Sequence, residues 1–320
     1  MTERANVIAL AVALDLLMGE PPERWHPVVG MGRLVERLER LAPREGPARQ
    51  LICGATMEAA CLAAAALPAW LLQRVLPSGS PVRTLALALA LKPTFAIRAL
   101  FEFTERVAKA LEAGDLQESR RAVGQIVSRN VEGLGETEVA AAAVESLAEN
   151  GSDSVVAPLL YYAILGLPGA YLYRMANTLD AMVGYRGRYE YLGKVAARVD
   201  DALNLLPSRL AALATAATCW MAGGSPTRAW RVAVRDSGRT ASPNAGWPMA
   251  AMAGALDLRL EKVNHYVLNE GGRPPRARDL ANARRVAAAG LAAAVAVAIL
   301  SQRLLGKRST DRFRVPGSPG

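Results

Sequence analysis

The feature that most constrains this chain is a recurrence of apolar stretches long enough to cross a lipid hydrocarbon core, which takes about 20 helical residues. The clearest are 51–72, 154–173, 205–227 and 286–305. Two weaker ones are 5–18, which is short and carries Asp15, and 82–101, which is interrupted by Lys92 and Pro93. No small-x-small cleavage site follows 5–18, so it reads as a retained segment. Lipid leaves no water for unpaired backbone groups, and strand-like alternation is nearly absent. The expected fold is therefore all-α: a polytopic integral membrane protein, residues 1–320 as one domain, with about four to six apolar helices and helical polar loops.

Composition agrees. Apolar residues make up 52% but aromatics only 5%, so the excess is Ala, Leu and Val, which excludes disorder, collagen and coiled coil. Three Cys with no CxxC pair, and two His, leave neither a disulfide framework nor a Cys/His metal site, so a metal would need oxygen ligands. The net charge of +9 is scattered through loops among acids, a pattern of membrane topology rather than of nucleic-acid binding.

Basic residues crowd 33–49, 120–129, 174–198, 228–285 and 303–314, and these cannot all be cytoplasmic if every apolar segment crosses once. Either 154–173, with Pro158, Gly166, Pro168 and Gly169, is a broken or re-entrant helix lining a cavity, or one weak segment does not cross; the first is the reading taken. Between the spans, Asp115 and Glu118 have capping-box spacing, and a helix over 136–150 is expected to end at the Asn150-Gly151 pair.

The densest polar constellation lies between Glu145 and Asn204. Glu145 and Glu149 share a helical face, with Asp153 following, and like charges at that spacing call for a cation between them. Arg174, Asn177 and Asp180 are three residues apart, so a continuing helix turns them one way. Tyr185, Arg186 and Arg188 surround Gly184 and Gly187, and Lys194 and Arg198 lead into Asp200 and Asp201. Acids with amides suit Mg²⁺, whereas Arg and Lys suit phosphate or carboxylate; interhelical salt bridges are the alternative. His26 beside Pro27 reads as a capped turn or a binding residue, and Ser242 and Asn244 as helix caps or anion binders. P-loop, dinucleotide-binding, nucleophile-elbow and HExxH motifs are all missing.

Four runs carry a resemblance: LDLLMGEPPERWHPVVGMGR (14–33), AENGSDSVVAPLLYY (148–162), RMANTLDAMVGYRGRYEYLGKVAARVDDALNLLPSRL (174–210) and SPNAGWPMAAMAGAL (242–256). In order and spacing they resemble the adenosylcobinamide-phosphate synthase family, the CobD/CbiB proteins of cobalamin biosynthesis, over roughly residues 8 to 300. NTLDAMVGY followed by ARVDD is the most specific part.

The resemblance implies a multi-pass protein of the cell membrane that joins a propionate carboxylate of adenosylcobyric acid to the amine of aminopropanol or its phosphate, with ATP as co-substrate and Mg²⁺ as its metal. Its partners would be the corrinoid, the small amino alcohol, the lipid bilayer and other enzymes of the pathway, with no nucleic acid. A route through an acyl phosphate needs oxygen ligands for Mg²⁺, cations along the phosphates and a base for the ammonium. Under that implication Asp200 and Asp201 take the metal, and Glu145, Glu149 or Asp153 supplies the base. His26, Arg129, Arg174, Asn177, Asp180, Tyr185, Lys194, Arg198, Ser242 and Asn244 bind substrate or phosphate.

The chain departs from the family pattern at polar positions. Ser128, Arg129, Asn130 and Val131 stand where GRDT is common, and Gly151 to Ser154 where a Thr-Val-Asp-Gly type sequence is usual. Thr240 replaces a common His, Met249 a common Glu, and Glu261 and Lys262 a Gly-rich turn. Those losses keep open a non-enzymatic family member that binds a corrinoid or scaffolds other enzymes. A transporter is the third class, although no internal repeat accompanies it.

Overall fold

The computed structural model describes residues 3–127, 129–185 and 187–311. Thirteen α-helices are present among them: α1 (Glu3–Met18), α2 (Pro27–Leu41), α3 (Pro47–Val75), α4 (Pro81–Leu91), α5 (Ile97–Glu112), α6 (Leu116–Gly124), α7 (Glu136–Gly151), α8 (Ala157–Leu165), α9 (Leu167–Val183), α10 (Lys194–Thr218), α11 (Pro226–Asp236), α12 (Gly246–Leu256) and α13 (Ala277–Asp311). The strands β1 (Leu260–Lys262) and β2 (Tyr266–Leu268) form a small antiparallel hairpin with Leu260 opposite Leu268. The all-α membrane architecture is thus the one observed.

Three paths are long and apolar enough to cross a membrane: Pro47–Val75, Pro81–Glu112 and Ala277–Leu304. The second joins α4 to α5 through a 3₁₀ turn at Lys92–Thr94, so Lys92 and Pro93 bend a continuous apolar path without ending it. By contrast, 205–227 is not one helix. α10 stops at Thr218, Gly223 takes φ +78°, and Ser225 caps α11. α1, at 16 residues, is shorter than a usual span.

The apolar stretch 154–173 is a broken helix, as expected. α8 ends at Gly166, where φ is +77°, and α9 turns back beside it. Tyr161 and Tyr173, placed nearly symmetrically about that turn, stack at 5.3 Å between ring centroids. The tip is tied down from outside the hairpin. Gln73 of α3 accepts from the Leu167 N–H at 2.8 Å, and Arg4 of α1 donates to the carbonyls of Ala163 and Ile164 at 2.9 and 3.1 Å. Backbone groups that a broken helix would leave bare are thereby paired.

α7 ends at Gly151, at the expected Asn150-Gly151 pair, but that pair does not break the helical course of the chain. Asn150 turns its amide back onto Ser146 O at 2.9 Å, and the chain widens into a π-helix over Ser152–Val156 before continuing as α8. A π-bulge of this kind shifts the register of the side chains that follow. The Asp115 cap forms, its carboxylate accepting from Glu118 N at 2.9 Å, while the Glu118 side chain pairs with Arg121 instead of closing the box.

The core is built on small residues. Val139 to Leu147 of α7 is buried almost without break, and its alanines let α5, α12 and α13 approach closely. Glycine serves the same purpose at Gly54 of α3. A Cβ there would lie 2.0 Å from Leu192 O, so the loop leading into α10 can rest on α3 only because that position has no side chain.

Candidate active site

One cavity of about 530 Å³ gathers most of the polar constellation. α7 supplies Glu145, Ser146 and Glu149 to it, and the π-helix supplies Asp153. α9 adds Asn177 and Asp180, and α10 adds Asp200 and Asn204. Ser242 and Asn244 enter from the turn before α12, Lys262 and Tyr266 from the β-hairpin, and Arg129 from the loop after α6. Both ends of the helical hairpin therefore open into the same space.

The acids of the cavity differ in their partners. Arg129 Nη2 lies 3.1 Å from Glu145 Oε2, while Glu145 Oε1 is buried without a partner. α7 lies outside the three spanning paths. Burial pushes the Glu145 carboxyl up to about 7, against the pull of Arg129 and with the push of Glu149. Burial also raises Glu149, partly offset by Lys262. Asp200 accepts from Asn204 Nδ2 at 2.9 Å and from Asn177 Nδ2 at 3.3 Å. The Tyr173 hydroxyl donates to Asn204 Oδ1 at 2.8 Å and so fixes which way that amide points.

Several expected residues stand elsewhere. Asp201 does not line the cavity and faces Arg198, because successive helical residues diverge by about 100°. Asp200 and Asp201 therefore do not line the cavity as a pair. Lys194 and Arg198 are exposed, Lys194 lying 6.0 Å from the Tyr191 ring centre. Arg174 lies behind the wall, with Nη1 at 3.4 Å from Ser154 Oγ and 3.5 Å from Asn177 Oδ1. His26 is a helix cap: Nδ1 accepts from Val28 N at 3.2 Å, and Nε2 lies 2.9 Å from Glu20. Tyr185 is at the cavity mouth; Arg186 and Ser128 fall outside the described residues. Ser242 and Asn244 both line the cavity and act locally. Ser242 Oγ accepts from Asn244 N at 3.2 Å, and Asn244 Nδ2 donates to Asp201 O at 2.8 Å.

Asp15, an acid inside an apolar stretch, is also structural. Its Oδ2 accepts the N–H groups of Ile97 and Arg98 at 3.0 and 2.9 Å, capping α5, and Lys92 Nζ lies 3.4 Å from Oδ1. Residues the sequence reading passed over include Glu58, Lys262 and Tyr266. Glu58 had a signal, being the sole charge within 51–72. Lys262 and Tyr266 had none, since only the β-hairpin brings them over α7.

Five carboxylates, Glu145, Glu149, Asp153, Asp180 and Asp200, line the cavity against two cations, Arg129 and Lys262. No three His, Cys, Asp or Glu among the described residues converge closely enough to hold a metal by themselves. This acid-rich oxygen set fits Mg²⁺ carried in on a phosphate group, since that ion keeps several waters and needs only one or two carboxylates.

Fold and cavity together define an all-α protein with three paths long and apolar enough to cross a membrane and an internal chamber that holds acids and cations. The family model described as CobD/Cbib protein matches residues 8–298. A cobalamin biosynthesis protein CobD of Chromobacterium violaceum is 45% identical over 279 residues, covering 85% of this chain and 86% of that protein. The CobD of Dehalococcoides mccartyi is 41% identical over 269 residues, 84% and 87% of the two chains. A probable CobD of Pyrococcus furiosus is 40% identical over 280 residues, 87% and 92% of the two. No solved structure matches. The chain belongs to the CobD/CbiB family of cobalamin biosynthesis proteins.

Proposed function

We propose that this chain is an ATP-dependent amide synthase of the cell membrane that joins adenosylcobyric acid to aminopropanol or its phosphate, giving adenosylcobinamide or its phosphate. The observation that carries this is one chamber holding two cations, Arg129 and Lys262, and five carboxylates, entered by both ends of a helical hairpin. Such a chamber suits polyanionic phosphates at its cations and a cationic amine at its acids.

In this reading the corrinoid carboxylate attacks the terminal phosphorus of ATP and releases ADP. A cavity carboxylate takes one proton from the ammonium, and the freed amine nitrogen attacks the acyl carbon and expels phosphate, which carries away the second N–H proton. Glu145, beside the Arg129 that would hold the acyl phosphate, suits that acceptor as the amine closes on the acyl carbon, having one unpartnered oxygen and titrating near neutrality, where a general base works best. Arg129 and Lys262 would steady the phosphate oxygens. Glu149 and Asp153 would hold Mg²⁺, which supplies charge neutralisation at the phosphates when bound. A chamber of about 530 Å³ takes the phosphates, the amine and one propionate arm, with the corrin ring at the mouth.

The second reading is a corrinoid-binding or scaffolding protein without activity. It draws on Met249, a buried thioether 3.9 Å from the Tyr266 hydroxyl where a common family carboxylate is replaced. The experiment that separates them incubates detergent-purified protein with adenosylcobyric acid, Mg-ATP and either amine, and follows the corrinoid by mass. An ATP-dependent amide product supports the synthase; corrinoid binding without product supports the binder.

A further inference from the structure

Glu58 lies in the middle of a membrane-crossing helix, is 3% exposed, and has no hydrogen-bond partner on either carboxylate oxygen. An ionisable side chain in that setting is costly and marks function by default. α3 packs against both α9 and α10, and the charged groups that bear on Glu58 are Asp200 and Asp180. Asp180 in turn is influenced by Asp200 and Asp201, again acids. The side chains that hydrogen-bond to Asp200 are neutral amides, those of Asn177 and Asn204. The other acids of the chamber differ. Glu145 faces Arg129 and Lys262, Glu149 faces Lys262, and Asp153 faces Arg174. Both cations that line the cavity thus bear on the α7 acids, and Arg174 of α9 and Arg198 of α10 serve Asp153 and Asp201, whereas no cation bears on Glu58, Asp180 or Asp200.

We propose that Glu58, Asp180 and Asp200 form a subsite for a small primary ammonium, with Asp180 and Asp200 on the cavity wall and Glu58 behind them as a positioning residue. Three features select an ammonium over a metal. The acids do not converge to metal-ligating geometry among the described residues. An alkylammonium carries three divergent N–H donors that can span acceptors set further apart. Arg129 and Lys262 also line the cavity but bear on none of these three acids, so an amine and a phosphate can be held at once without meeting the wrong charge. The proposal rests on the synthase reading only for which amine is bound.

The test measures binding of 1-amino-2-propanol by ligand-observed NMR to the full-length, detergent-purified protein, with propane-1,2-diol as the neutral counterpart, and separately measures amide formation. The wild type is expected to bind the amine and not the diol. Glu58→Gln and Asp180→Asn should each weaken amine binding at least roughly tenfold. Glu58→Asp should recover part of the loss, with the apparent KM for ATP unchanged in turnover assays. Equal binding of amine and diol, or unchanged amine binding in both folded variants, overturns the subsite. If Glu58→Gln does not yield folded protein, Asp180→Asn decides alone. Wild-type protein that binds the amine but makes no amide overturns the synthase reading and leaves the subsite standing.

Discussion

Tyr161 and Tyr173 stack across the helical hairpin, and through them its apolar tip is coupled to the polar chamber. Tyr161 donates to Leu203 O at 2.8 Å and Tyr173 to Asn204 Oδ1 at 2.8 Å, so each arm is bonded to α10 beside Asp200. Removing the Tyr173 hydroxyl leaves Asn204 free to turn its amide away from Asp200. Tyr173→Phe should therefore lower turnover more than it lowers stability, the latter by about 1 kcal/mol for one buried hydrogen bond. Comparing thermal unfolding with amide formation in that variant checks it; equal wild-type turnover would remove Asn204 from any role in orienting Asp200.

The hairpin turn itself is a backbone requirement. Gly166 has φ +77°, and a Cβ there would come within 2.5 Å of Gln73 Oε1, the group that accepts from Leu167 N. Gly166→Ala combines left-handed strain with loss of that cap and should destabilise the protein by roughly 1–3 kcal/mol. Gln73→Ala should reproduce only the capping part, about 1 kcal/mol. Unfolding midpoints in detergent of the two variants, set side by side, measure the difference.

Much of this fold could be read from the sequence because periodicity and Gly/Pro placement report on local backbone. Gly166 and Pro168 inside an apolar stretch implied a broken helix, and Asp115 implied a cap. What failed depended on side-chain bonding, on helical phase and on contacts between distant segments. Asn150-Gly151 looks like a helix end, but Asn150 bonds to its own helix and the chain continues through a π-turn. Asp200 and Asp201 look like a pair on paper, yet helical geometry turns one into the chamber and the other toward Arg198. Glu58 stood alone in its apolar stretch, and its acidic neighbours come from helices more than a hundred residues away.

That divergence makes a sharp comparison. Asp200 lines the chamber and accepts two amide hydrogen bonds, whereas Asp201 does neither. Asp200→Asn should reduce amide formation by at least roughly 100-fold, as expected when a preorganised charge at the reacting centre is lost. Asp201→Asn should stay within a few-fold of wild type. Comparable losses in both would restore the adjacent pair as a functional unit.

Lys262 tests the charge division of the chamber from the other side. It reaches the cavity from β1 and draws down both Glu145 and Glu149. Lys262→Met should raise the apparent KM for ATP roughly tenfold, about 1.4 kcal/mol, by removing a phosphate partner. The amine KM should change little, because its binding is assigned to Glu58, Asp180 and Asp200, on none of which Lys262 bears. A shift confined to the amine would reverse the two assignments.

Glu145 gives the chamber a pH signature. Its folded-state pKa of about 7 lies above the ordinary value near 4.5, so between those values the folded state binds a proton that the unfolded state has released. Stability from this group is therefore lost as pH rises from about 4.5 through about 7. Glu145→Gln, which stays neutral, lacks that loss. The unfolding midpoint of the wild type should fall relative to that of Glu145→Gln as pH is raised from 5 to 8, with the change centred below 7. A parallel course for the two proteins would place the carboxyl in an ordinary solvated setting and withdraw Glu145 as the group that takes the ammonium proton.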